Sequence, residues 1–108
     1  MGIRFLIRCA VAAILSLALA APVFAASNGT RAQEIIKAHG CLGCHKIEGH
    51  GGTFGPDLDG VGKRLSAEQI RAKLLNPKAS NPNSHMPSFS WLPPKDLKTI
   101  VDYLAQLK

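Results

Sequence analysis

Five consecutive residues carry the most distinctive chemistry in the chain: Cys41-Leu42-Gly43-Cys44-His45. One turn presents both sulfurs on one edge and places the imidazole directly after them. Thiols so spaced can add across the two vinyl groups of a haem to give thioethers, and the imidazole then lies under the iron as an axial ligand. Three other chemistries use a Cys pair. A thioredoxin-like redox couple needs a βαβ setting, which the chain's pattern does not offer. Half of a zinc site needs further ligands; no second Cys pair follows, and His39, His50 and His85 lack zinc-finger spacing. A plain disulfide leaves His45 without a role. Haem attachment is therefore the expectation.

An electron-carrying haem needs a second axial ligand. Met86 lies in His85-Met86-Pro87-Ser88-Phe89, far along the chain from His45. A methionine that only fills a core sits at helical spacing among apolar neighbours, whereas this one stands between His and Pro in a polar, Pro-rich loop. Thioether sulfur with imidazole is also the pairing that raises a haem's potential. His85 is the rival donor. Pro87 holds the residue before it extended, and successive residues of an extended segment point oppositely. If Met86 faces the iron, His85 faces away.

The elements that must position these residues are read from capping and apolar spacing. Thr30 and Gln33 stand at capping-box spacing, which predicts a short helix over Thr30–Ala38, with Ile35 and Ile36 on its apolar edge and Gly40 ending it. The stretch 49–62 holds six glycines and Pro56 and reads as a loop; His50 within it is expected in solvent. Ser66 and Gln69 form a second capping box, opening a helix through Leu75 with Ile70 and Leu74 on one face, and Asn76-Pro77 stops it. Residues 76–94 hold five prolines; a loop of such length in a small domain is usually functional. The last helix is the clearest. Pro94 suits its first position, Asp96 its positive end, Leu92 and Leu97 match staple spacing, and Leu97, Ile100, Val101, Leu104 and Leu107 form its stripe. Three helices, two long loops and no strand are expected.

Met1–Arg8 carries Arg4 and Arg8 and no acid, Cys9–Ala21 is uncharged, and Pro22-Val23-Phe24-Ala25-Ala26 follows. This is the pattern of a secretory signal peptide over residues 1–25, cleaved after Ala25, with the domain at 26–108. The alternative is an uncleaved anchor, but the uncharged run is shorter than the ~20 residues a spanning helix needs. Export to the periplasm agrees with the motif, because c-type haem is attached outside the cytoplasm. Cleavage takes 25 of the 108 residues, leaving 83, and removes Arg4 and Arg8 from 13 basic residues against 7 acidic ones, leaving a net +4. That length excludes a two-domain enzyme, and 46% hydrophobic with 19% charged residues excludes a disordered chain. A core of this size is marginal by itself. Cys41 and Cys44 cannot staple distant segments, so a large apolar group tethered at both would supply the missing burial.

Taken in order, these pieces resemble the small bacterial class I (monohaem) cytochromes c. The resemblance covers residues 30–108. It runs from a helix leading into C-x-x-C-H, through Gly55-Pro56-Asp57-Leu58-Asp59-Gly60-Val61-Gly62 and Met86-Pro87, to Ile100-Val101-Asp102-Tyr103-Leu104. It implies an all-α protein, a small cytochrome c-like fold of three or more helices with long loops wrapped around one covalently bound haem c. It also implies that the Pro56 carbonyl accepts the second ring N–H of His45, fixing the tautomer. The family crosses its first and last helices at a glycine packed by aromatics. Here Ala32 takes the glycine position and Ile36 an aromatic one, while Tyr103 keeps the other aromatic, so a slightly wider crossing is expected. Trp91 is expected either to donate its indole N–H to a haem propionate or to cover the haem edge with Phe89.

The function so implied is one-electron transport between Fe(III) and Fe(II) rather than enzymatic turnover. Partners are redox proteins, a donor and an acceptor, with acidic surfaces facing Lys46, Lys63 and Lys78. No nucleic-acid partner is expected, and membrane contact only through respiratory complexes. Two readings stay open beside it. One is a haem subunit of a larger respiratory or oxidoreductase complex. The other is an open-site haem sensor or enzyme, which the availability of Met86 opposes.

Overall fold

The computed structural model describes residues 23–108, so most of the expected leader lies outside the described residues. Helix α1 runs Val23–Ala38. It starts upstream of Thr30, so the expected capping box at Thr30 and Gln33 does not open it. Physically, residues 23–38 contain no proline and several alanines, and the single Gly29 costs only about 1 kcal/mol, so nothing interrupts the helix. Ala32, Ile35 and Ile36, spaced i, i+3, i+4, are its buried face. Gly40, with φ 74°, turns the chain out of the helix in the left-handed region. A single 3-10 turn follows at Cys41–Gly43.

The glycine-rich stretch is more structured than a loop. Strand β1 (Lys46–Ile47) pairs antiparallel with β2 (His50–Gly51), Ile47 opposite His50 and Lys46 opposite Gly51. The expected absence of strands is corrected here. A two-residue strand is too short to show alternation, so its pattern could not have revealed it. Helix α2 (Val61–Arg64) is one turn, entered through Gly60 at φ 70°.

Helix α3 runs Ala67–Leu75 with both bonds of the capping box made: Gln69 N–H donates to Ser66 Oγ at 3.2 Å, and Ser66 N–H donates to Gln69 Oε1 at 2.9 Å. Such a cap contributes about 1 kcal/mol. The Pro-rich stretch holds a further short helix, α4 (Pro77–Ser80), because Pro77 both stops α3 and opens the next turn. Helix α5 (Pro94–Ala105) buries Leu97, Ile100, Val101 and Leu104, with Leu107 half-buried beyond its end.

Among the described residues the architecture is thus five helices, one 3-10 turn and a minimal hairpin around a single core. Helix α5 is its spine, packing on α1, α2 and α3. Ala32 is completely buried where α1 meets it. Helix α2 docks under the far end of α5. Gly62 N–H donates to Leu107 O at 2.8 Å, and a Cβ at Gly62 would lie 2.1 Å from Ala105 O, so only glycine permits the approach. No helix among the described residues is long and apolar enough to cross a membrane.

Candidate functional site

The 3-10 turn leaves Cys41 half-buried and Cys44 exposed, both as free thiols. Burial pushes the Cys41 thiol up, and a backbone hydrogen bond offsets part of that. His45 closes the turn, its N–H donating to Cys41 O at 3.0 Å. Its ring Nδ1 lies 2.7 Å from the Pro56 carbonyl oxygen. A carbonyl can only accept, so Nδ1 carries the proton and Nε2 presents its lone pair for a metal.

Three glycines of the 49–62 stretch line this turn. A Cβ at Gly55 would lie 2.7 Å from His45 Cε1 and 2.9 Å from Nδ1; one at Gly51 would lie 2.1 Å from His45 O, and one at Gly52 2.4 Å from Gly43 O. The ring and the turn therefore rest on bare backbone. The segment after Gly55 is tied down repeatedly. Gly55 N–H donates to Cys44 O at 2.7 Å, and Leu58 N–H donates to Lys46 O at 2.9 Å. Arg64 donates to the carbonyls of Asp57 (2.7 Å) and Asp59 (3.3 Å). The Asp59 backbone N–H holds the Asp57 carboxyl below the usual carboxylate range; slight desolvation opposes it, and Lys46 and Arg64 add to the lowering.

Met86 lies half-buried on the Pro-rich side. Its segment is anchored at both ends: Met86 N–H donates to Ser84 Oγ at 3.2 Å, Ser88 Oγ–H to Leu75 O at 2.7 Å, and Phe89 N–H to Leu74 O at 2.8 Å. A cleft of about 410 Å³ opens here, lined by Lys78, His85, Met86 and Pro87 among others. His85 is exposed, its ring 6.0 Å from Phe54. Trp91 is 62% exposed, edge-on to His39 at 5.0 Å and tilted against the buried Phe89 at 6.2 Å. His50 is exposed on β2. Among the described residues no three of His, Cys, Asp or Glu gather to hold a metal ion, which leaves the zinc alternative without a cluster.

Several contributors escaped sequence reasoning. Asp59 accepts from the backbone N–H groups of Glu48 and Gly49. Tyr103 O–H donates to Glu48 Oε1 at 2.9 Å, with Gln33 Nε2 near both. The signal available was the Glu48-Gly49 dipeptide between two short β-capable pairs, but glutamate is not a favoured residue of a tight hairpin turn.

The family model for cytochrome c matches residues 29–108. The chain belongs to the cytochrome c family. It therefore has the mostly helical, haem-wrapping fold of that family and carries a covalently bound c-type haem with its iron, the group that family uses for electron transfer. The residues present fit that group: two unpaired thiols on one turn, and an imidazole whose Nε2 is free. A curated protein similar to this cytochrome c is the cytochrome c oxidase subunit 2 of Alkalihalophilus pseudofirmus. It is 24% identical over 84 residues, covering 70% of this chain and 25% of that protein. The chain thus spans about a quarter of the length of that relative.

Proposed function

We propose that the chain is a periplasmic one-electron carrier, with Cys41 and Cys44 as the thioether residues, His45 and Met86 as the axial ligands, and no substrate transformed. The observation that carries this reading is the 2.7 Å contact between His45 Nδ1 and Pro56 O, which supports the ring's other nitrogen as the iron ligand and would raise its basicity. The bound haem supplies the Fe(III)/Fe(II) couple. The chain's own residues orient the imidazole through Pro56, keep Cys41 half out of water, and hold Met86 between anchored neighbours. His85 is exposed and Met86 half-buried, which supports sulfur over imidazole as the sixth ligand. Soft sulfur favours the ferrous state and suits a carrier.

The ferric protein should show the weak near-infrared sulfur-to-iron band. Met86→Ala should abolish it and lower the potential, while His85→Ala should leave both nearly unchanged. A wild-type ferric spectrum without that band, converted to an open or replaced site in His85→Ala, makes His85 the ligand instead. The Arg-flanked apolar run and the Val23-Phe24-Ala25 site support export and cleavage. Intact mass should equal residues 26–108 plus one haem; a mass retaining residues 1–25 makes the leader an anchor.

The similarity to an oxidase subunit favours a second reading, a haem subunit of a larger oxidoreductase complex. Size-exclusion of protein from the native host separates the two: a free carrier elutes at its own small mass.

A further inference from the structure

We infer that Asp59 is a positioning residue for the His45 imidazole: by gripping the tip of the hairpin behind His45, it holds the Pro56 carbonyl on Nδ1. The inference rests on His45 being the axial ligand.

The hairpin tip needs a grip. Glu48 and Gly49 are its two central residues, with φ 51° and 78°. A two-residue turn with both residues left-handed favours Asn-Gly or Asp-Gly. Glutamate is strained in that region, because its Cβ crowds the following carbonyl oxygen. The conformation also turns two successive backbone N–H groups outward, a concave pair of donors suited to an anion. A single carboxylate meets both: Asp59 Oδ1 accepts from Glu48 N–H, and Oδ2 from Gly49 N–H at 3.2 Å. The carboxylate is itself aimed. Asp59 N–H donates to Asp57 Oδ1 at 2.8 Å, and Arg64 holds the carbonyls of Asp57 and Asp59 from the other side.

Pro56 hangs between such ties. Cys44 O holds Gly55, Lys46 O holds Leu58, and the N–H groups of Glu48 and Gly49 hold Asp59. The two segments therefore meet in order, as a ladder whose last rung is a side chain. Proline has no N–H of its own to add a rung, so its carbonyl is placed only by its neighbours' bonds. Behind His45 there is no slack, because a Cβ at Gly51 would overlap His45 O. Cutting the Asp59 rung releases the tip and loosens the segment that carries Pro56. A tighter Nδ1–H···O bond makes the imidazole a more basic ligand and favours Fe(III), so loosening raises the potential. Removing a nearby negative charge also raises it, and the test must separate these two causes.

The test uses the haem-loaded full chain in its ferrous form. Solvent exchange of His45 Nδ1–H and of the Glu48 and Gly49 amides is followed by NMR, and the potential is measured beside it. Asp59→Ala should speed exchange of all three protons about tenfold or more, the size expected for losing hydrogen bonds to a charged acceptor. It should also raise the potential by more than Asp59→Asn, which loses the same charge but keeps one acceptor oxygen. Equal rises with unaltered Nδ1–H exchange would overturn the inference, leaving Asp59 a charge and nothing more. Should Asp59→Ala fail to hold haem, the wild type and Asp59→Asn decide. One shared opening rate for the three protons, raised in Asp59→Asn, supports the inference; independent rates overturn it. His45 ring protons without the upfield ring-current shift of an axial ligand overturn the ligand reading and this inference together. Upfield protons with unaltered exchange overturn this inference alone.

Discussion

Gly55 shows how much of the site is set by an atom that is missing. Its hydrogen faces the His45 ring, and a methyl there would meet Cε1 and Nδ1 at 2.7 and 2.9 Å. Gly55→Ala must push the ring off the Pro56 carbonyl or displace the backbone, a strain of about 1–3 kcal/mol. The expected outcome is a lower melting temperature and a shifted potential in the haem-loaded protein, read by thermal unfolding and redox titration. Cys41, Cys44, His45 and Met86 stood out in the sequence as candidates because the chemistry proposed for them depends on residue type and spacing. Gly55 and Asp59 were not. One acts through the absence of a side chain and the other through a turn conformation, and neither leaves a pattern of apolar spacing. Trp91 sits edge-on to His39 and tilted against Phe89.

At the scale of elements, Tyr103 joins α5 to the hairpin and stands near Gln33 of α1. Burial holds its hydroxyl above the usual tyrosine range; the Glu48 carboxylate adds to this and Gln33 opposes it. A raised value favours the protonated form in the folded state. The corresponding stability is present below the unfolded tyrosine's pKa of about 10 and is lost as pH rises through the folded value. Tyr103→Phe should therefore lower stability at neutral pH by about 1 kcal/mol for the lost hydrogen bond. The gap to wild type should close as the pH climbs past about 10, in denaturant melts recorded across that range. Helices α3 and α5 were read from sequence almost to the residue, since Ser66 and Pro94 punctuate them and their apolar faces repeat. The start of α1 was misplaced because a good cap at Thr30 was outvoted by continuous helix formers upstream. The hairpin and the short helices α2 and α4 are too brief for periodicity to mark.

Across the whole molecule the charges divide by chain segment. Residues 69–95 contain Arg71, Lys73, Lys78 and Lys95 and no carboxylate at all. Lys78 borders the Met86 cleft. Lys46 is paired with Asp57 at 3.4 Å. An acidic redox partner would meet the more positive potential on the Met86 side, so electron-transfer rates should fall with ionic strength. Replacing Arg71, Lys73 and Lys78 by Gln should flatten that salt dependence, and Lys46→Gln should barely change it. Stopped-flow rates with an acidic partner at low and high salt check this, and a flat wild-type profile would remove steering from the account.

The hydrogen bond between His45 and Pro56 closes a stretch of 11 residues, and the Asp59 contacts span as little. Met86 reaches its place only through the far longer chain between it and His45, held by the bonds of Ser88 and Phe89 to the carbonyls of Leu75 and Leu74. Closing the longer loop costs about 1 kcal/mol more in chain entropy, and partial opening begins where such closure is dearest. Warming or mild denaturant should thus free the sulfur side first while the imidazole stays seated. If Met86 and His45 hold the iron as proposed, the protein should pass, before it unfolds, through a form whose iron is open on the sulfur side and takes up small ligands.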